Sequence, residues 1–234
     1  MTINQNAKEA VLASHFLLRH LDPDDLRRLA AQTSVVRHAA QATVFQKGDP
    51  GDSMMAVVRG RIKICTYSGQ GRELVLNILG PGGVFGEIAL LDGKERTADA
   101  VALEESDLLV LQRSRFMPFV TASPEMTARL FAVLCQRLRW TSEHLEDTLF
   151  REAPSRLARG LLRLATAFGK PAGEGVRIDL KLSQQQLGSL IGISRETINK
   201  HLGEWTRAGY LASEGGVITL RDQQALQDLA DAEA

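Results

Sequence analysis

Cysteine is nearly absent: Cys65 and Cys135 are the only two in 234 residues. Two distant thiols are too few for a disulfide framework and cannot ligate an iron–sulfur cluster. The five histidines, His15, His20, His38, His144 and His201, show no paired metal-ligand spacing, which argues against a metal or haem centre. No apolar run approaches the roughly 18 residues of a membrane span. Residues 1–10 lack the charged-then-apolar order of a secretion signal. The expectation is a cytoplasmic protein without a membrane partner. Net charge is absent as well, since 28 basic and 28 acidic residues cancel, so bulk charge predicts no nucleic-acid partner. Long repeats and low-complexity tracts are also missing.

What remains is a chain of ordinary globular texture, 44% hydrophobic and 24% charged, long enough for two modest domains. Its charge is uneven. Residues 151–221 hold 11 Lys/Arg against 6 Asp/Glu, residues 1–150 hold 17 against 18, and the tail after Arg221 is acidic. That local basic excess is compatible with phosphate contacts. Residues 7–31 read as helical, with Leu12, Phe16, Leu17, Leu21, Leu26 and Leu29 at helical spacing and Asp22-Pro23 starting a second piece. From about 34 to 111, short β-branched runs (42–45, 54–58, 61–67, 72–79) alternate with turns such as Gly48-Asp-Pro-Gly51 and Gly80-Pro-Gly-Gly83. Strands at such spacing predict an antiparallel barrel or roll.

The stretch Phe85-Gly-Glu-Ile-Ala-Leu-Leu-Asp-Gly-Lys-Glu-Arg-Thr-Ala98 sets Glu87 and Arg96 on either side of a short apolar turn. A cyclic nucleotide asks for such a pair. Its ring phosphate is a singly charged anion that wants a bidentate cation and backbone N–H donors, and its ribose 2′-hydroxyl wants an acceptor. Gly86 lets the backbone approach closely. Ile88 and Ala89 would open a one-turn helix with free N–H groups, and the Thr97 hydroxyl is placed to touch phosphate or base. A plain β-turn with a surface Glu–Arg pair would not need these residues in this order.

Residues 124–150 turn helical again. Phe131, Leu134, Leu138, Thr141, Leu145 and Thr148 fall at alternating spacings of three and four, a coiled-coil seam. Such a seam predicts a parallel homodimer through residues 126–150; the alternative is a helix lying on its own barrel. The hydroxyls of Thr141 and Ser142 suit an adenine, whose N6 donates and whose ring nitrogens accept.

Further on, Ser183 with Gln186 makes a capping box, Leu182 with Leu187 a hydrophobic staple, and Leu187, Leu190 and Ile191 a buried face. Gly192 permits a tight turn, and Ser194 caps a second helix with the apolar face Ile198, Leu202 and Trp205. This predicts a helix-turn-helix with a wing, residues 210–220, behind it. Arg195, Glu196, Asn199 and Lys200 share the exposed face near the N-terminal turns, where a recognition helix meets base edges. Arg and Lys suit the guanine O6/N7 edge, and Glu accepts from cytosine N4.

On these motifs nearly the whole chain resembles the CRP/FNR family of transcription regulators, on its cyclic-nucleotide-responsive side. The resemblance implies an α+β protein: an N-terminal antiparallel β-roll that binds the nucleotide (1–125), a long dimerisation helix (126–150) and a C-terminal winged helix-turn-helix (151–234). Gly86, Glu87, Ile88, Ala89, Arg96 and Thr97 would form its phosphate cassette, with Arg137 pairing with Glu87, and Thr141 and the partner copy's Ser142 contacting the base. The resemblance also places Ser183, Gln184, Gln185 and Ser194 beside Arg195, Glu196, Asn199 and Lys200 on double-stranded DNA of TGTGA type. Lys200 stands where the family pattern has Arg, a point charge in place of a fork, so discrimination there is expected to soften. The implied allosteric ligand is cAMP; Arg-Thr-Ala at 96–98 resembles cGMP-preferring cassettes and keeps cGMP as a second. The segment 169–175, read as a loop, sits where family activators touch RNA polymerase, and a hinge is expected at 148–154. The alternative is a relative that binds DNA unliganded or with another effector, such as a cyclic dinucleotide. No cofactor is expected. A nucleotide hydrolase is not expected either, since no metal cluster or activated nucleophile is in evidence.

Overall fold

Glycine-punctuated β-branched runs between 34 and 112 build two four-stranded antiparallel sheets. The computed structural model describes residues 4–14 and 22–232, without the side chains of Ser14, Met126, Arg129, Val133, Gln136, Arg137 and Trp140. The expected apolar positions Phe16, Leu17 and Leu21, and also His15 and His20, lie outside the described residues. The chain divides into two units, residues 1–138 and 139–234.

In the first unit, α1 (Gln5–Ser14) and α2 (Pro23–Ala31) precede β1 (Ser34–His38), β2 (Thr43–Phe45), β3 (Ser53–Arg59), β4 (Ile62–Tyr67), β5 (Glu73–Leu79) and β6 (Val84–Phe85). A short α3 (Glu87–Asp92), β7 (Asp99–Ala102), β8 (Ser106–Gln112) and α4 (Arg113–Ala122) follow. Asp22 caps α2 by accepting from Asp24 N, as the Asp-Pro pair predicts. The sheets have strand orders β1-β8-β3-β6 and β2-β7-β4-β5. Val57, Ile62, Phe85, Ala100, Ala102 and Leu108, drawn from both sheets, pack into one core cluster. Met54, Ala56, Leu109 and Leu111 project from the other face of the first sheet and pack with Leu12, Leu29, Leu90, Phe116 and Val120 of the helices. Strand β8 is therefore covered on both faces, which is why Leu108-Leu-Val-Leu111 runs continuously apolar.

Helix α5 (Pro124–Phe150) extends for 27 residues from the first unit into the second. The second unit holds α6 (Ala153–Phe168), β9 (Gly169–Ala172), β10 (Gly175–Ile178), α7 (Gln184–Ile191), α8 (Arg195–Arg207), β11 (Leu211–Glu214), β12 (Val217–Leu220) and α9 (Gln223–Asp231). The architecture is α+β as expected, a β-roll with helices and a C-terminal helix-turn-helix with a sheet.

One expectation needs correction. Residues 169–175 are not a loop: β9 and β10 form a hairpin, and β10 pairs with β12 to extend the wing to the order β11-β12-β10-β9. Glycine and proline disguised the strand. Pro171 is tolerated because β9 is the sheet edge, where a missing N–H breaks no central ladder. Part of the acidic tail forms α9, which buries Leu226 and Ala230. No helix among the described residues is long and apolar enough to cross a membrane.

Large buried side chains join the first sheet to its helices. Phe116, 1% exposed, is one of them. Truncating Phe116→Ala is expected to lower unfolding free energy by about 3–5 kcal/mol, read from the urea midpoint.

Candidate anion site and nucleic-acid interface

The first candidate site gathers at the end of β6. Gly86 adopts φ 80°, a left-handed conformation, and caps the N-terminus of α3. A Cβ at Gly86 would stand 2.6 Å from Arg96 Nη1. The turn at residues 48–51 clasps the segment between α3 and β7 that carries the arginine: Gly48 N donates to Arg96 O at 2.9 Å and Arg96 N to Asp49 O at 2.8 Å. Gly51 then packs on α3 so closely that its Cβ would overlap Ala89 Cβ at 2.1 Å.

Arg96 is only 4% exposed. Its Nη1 donates to Ser53 O at 2.6 Å and to Gly86 O at 2.9 Å, and its Nη2 donates to Ser53 Oγ at 2.9 Å. The guanidinium carbon stacks 4.3 Å from the centre of the Phe45 ring, a cation–π contact. Both Nη1 protons and one Nη2 proton are thus engaged. Nε is buried without a hydrogen-bond partner, and the second Nη2 proton lies on the same edge of the guanidinium plane. These two form the side-on fork that matches two oxygens of a phosphate. Leaving a buried donor unmade costs about 1–3 kcal/mol, which an anion on that edge would recover. Burial lowers the guanidinium pKa from its ordinary value, and the fields of Asp52, Asp49 and Glu87 oppose this only in part.

Glu87 is the first residue of α3 and only 6% exposed; Ala89 is buried, while Ile88 and Thr97 face outward. The structure therefore brings Gly86, Glu87, Ile88, Ala89, Arg96 and Thr97 together in the first unit. Thr141 and Ser142 are exposed on α5 in the second unit, and the Arg137 side chain lies outside the description. Sequence reasoning missed Ser53, Phe45 and Gly51. Its only pointer to them was the Gly48-Asp-Pro-Gly51 turn, which signalled a reversal but not what the turn holds. Along α5, Phe131, Leu134, Leu138 and Leu145 are exposed, Leu138 by 68%.

The second candidate site lies on α7 and α8. Ser183 Oγ accepts from Gln186 N at 3.1 Å, and Gln186 Oε1 accepts from Ser183 N at 2.9 Å, completing the expected capping box. Gly192 turns the chain at φ 78°, and Ser194 Oγ accepts from Thr197 N at 3.1 Å to cap α8. Both serine hydroxyls therefore serve as helix caps. Ile198, Leu202 and Trp205 are buried, which turns Arg195, Glu196, Asn199 and Lys200 outward. The Glu196 carboxyl is held below its ordinary pKa, first by its own backbone N–H and then by Ser194, and stays ionised as an acceptor. Gln185 is exposed. Gln184 Nε2 donates to Asn199 Oδ1 at 3.0 Å, a cross-helix link no motif had announced.

The basic excess of residues 151–221 needs a narrower reading than composition allowed. Arg151, Arg159 and Arg163 all pair with Asp147, and Lys170 and Arg177 with Asp179. Much of that charge is spent inside the second unit, so the recognition helix itself carries the argument for DNA.

A buried guanidinium with an unspent fork in one unit, and a capped helix-turn-helix in the other, are the parts of an effector-regulated DNA-binding protein. Residues 35–123 match the cyclic nucleotide-binding domain family and residues 155–229 the Crp-like helix-turn-helix domain family. A CRP-like cAMP-activated global transcriptional regulator of Mycobacterium tuberculosis is 33% identical over 218 residues, covering 93% of this chain and 97% of that protein. Among solved structures, a CRP/FNR-family transcriptional regulator of Thermus thermophilus aligns with a TM-score of 0.71 at 29% identity, over 86% of this chain and 100% of that one. The c-di-GMP-responsive global regulator CLP of Xanthomonas campestris aligns with a TM-score of 0.71 at 25% identity, over 85% and 99%. The chain belongs to the CRP/FNR family: it is a DNA-binding transcription regulator with a cyclic nucleotide-binding domain, not an enzyme.

Gly86→Ala would force a left-handed backbone and a 2.6 Å approach to Arg96 Nη1. Calorimetry should find cyclic-nucleotide affinity reduced about tenfold or more, a change of about 1.4 kcal/mol, with far-UV circular dichroism unchanged.

Proposed function

We propose that this regulator is a homodimer switched by cAMP, with cGMP as a second ligand, and that it reads a palindromic TGTGA-type site. The observation that carries the proposal is the Nε/Nη2 edge of Arg96, held in plane by Ser53, Gly86 and Phe45 with its two donors unspent. A cyclic phosphodiester presents one negative charge and two exocyclic oxygens to that edge. Glu87 would accept from the ribose 2′-hydroxyl, and the backbone N–H groups of Ile88 and Ala89 would complete the anion contact. Thr97 would touch phosphate or base.

The exposed stripe Phe131, Leu134, Leu138 and Leu145 supports pairing of α5 with a second copy, in keeping with its seam spacing. Thr141 and the partner copy's Ser142 would then meet the base, with Arg137 assisting Glu87. Ligand binding would favour one packing of the paired helices, a population shift that requires tighter binding to the DNA-competent state. That state sets two α8 helices one DNA turn, about 34 Å, apart. Arg195 and Lys200 would donate to guanine, and Glu196 would accept from cytosine. The β9–β10 hairpin is the proposed face for RNA polymerase.

A second reading is favoured by the likeness to the c-di-GMP-responsive regulator: a cyclic dinucleotide, or no ligand, would govern DNA binding. Titrating cAMP, cGMP and c-di-GMP and footprinting with each separates the two. Arg96→Lys keeps the charge but loses the fork, and it is expected to weaken cAMP binding about thirtyfold, a loss of about 2 kcal/mol. Normal cAMP affinity in that variant would remove the pocket assignment. Leu138→Glu is expected to convert the dimer to monomer in sedimentation, since a like charge at each seam position faces its copy.

A further inference from the structure

The junction between α5 and α6 carries a charge cluster that neither site uses. Asp147, three residues before the end of α5, is 6% exposed. Its carboxylate accepts from Arg151 Nε at 3.0 Å and from Arg159 Nε at 3.2 Å, and it pairs with Arg163 at close range. Arg159 and Arg163 are one turn apart on the same face of α6. One carboxylate thus holds three guanidiniums, which would repel one another without it. Arg151 reaches further: its Nη1 donates to Ala230 O of α9 at 2.9 Å, and Ser155 Oγ donates to the same carbonyl at 2.9 Å. The end of α5, the start of α6 and the end of α9 meet at this knot.

The tie continues toward the DNA-reading helices. At Gly160 the backbone of α6 lies so close to α7 that a Cβ would stand 2.7 Å from Ile191 Cδ1. Helix α7 in turn caps and turns into α8 through Gly192. Asp147 and its arginines span residues 148–154, the segment expected to act as a swivel, so that segment is bridged by an ion cluster gathered on a buried carboxylate. Tightly packed contacts of this kind pass on displacement because they are not continuously deformable.

We propose that Asp147 is the positioning residue that makes the C-terminal part of α5 and the helix-turn-helix move as one body, so that repacking of α5 reaches α8. This rests on the ligand-switched reading above. The test compares full-length wild type with Asp147→Asn, which keeps the shape and removes the charge, and with Arg163→Gln, which leaves Asp147 paired and guards against misfolding. Hydrogen exchange of the 148–158 amides is measured without ligand, and operator affinity with and without saturating cAMP. Asp147→Asn should raise exchange across 148–158. It should cut the ratio of liganded to unliganded operator affinity at least about fivefold, while cAMP affinity of the DNA-free protein stays within about twofold. Arg163→Gln should move both readouts in the same direction by less. Unchanged exchange would overturn the tie, and raised exchange with an unchanged ratio would overturn its part in transmission. A wild type indifferent to cAMP would instead sink the ligand reading, and the exchange data alone would then judge whether Asp147 holds the joint.

Discussion

A buried guanidinium is the constraint around which the first unit is arranged. Arg96 cannot sit at 4% exposure unless its charge is solvated by the protein, and the chain supplies that solvation from three separate places. Ser53 opens β3, Gly86 follows β6 and caps α3, and Phe45 closes β2; all three meet at the arginine. Glycines at 51 and 86 are demanded by the same closeness. The arrangement satisfies the guanidinium on two sides and leaves the donors of its third edge without a partner. In the proposed reading, that edge is what a phosphate-bearing effector recognises.

The second unit solves the opposite problem. Its recognition face must stay wet and charged, so its order comes from caps and a buried apolar face: Ser183 and Ser194 fix the helix starts, Gly192 the turn, and Ile198, Leu202 and Trp205 the rotation of α8. The Gln184–Asn199 link adds a polar stay on the exposed side. Between the two tasks runs α5, whose exposed leucines belong to a partner-facing seam in the proposed dimer and whose last turns are knotted to α6 by Asp147.

Much of this was legible before any coordinates. The roll, the long helix and the helix-turn-helix follow from spacing and turn chemistry, and the capping residues act as the motifs predict. The residues around Arg96, from 86 to 97, could be singled out because they are contiguous. Ser53 and Phe45 could not, because they lie far from Arg96 along the chain and nothing local in their strands marks them. The strand β9 was hidden by Gly169 and Pro171, whose usual meaning is a loop and whose meaning at a sheet edge is tolerance. The Asp147 cluster escaped because a count of arginines does not say where they point, and three of those counted toward DNA turn inward to a carboxylate.

Two protons on one side chain decide effector recognition in the proposed switch, and nuclear magnetic resonance can observe one of them directly. With 15N-arginine labelling, the Nε–H signal of Arg96, assigned by its loss in the Arg96→Lys protein, should move downfield and become protected from solvent exchange when cAMP is added. A signal whose shift and exchange rate ignore the nucleotide would contradict the account.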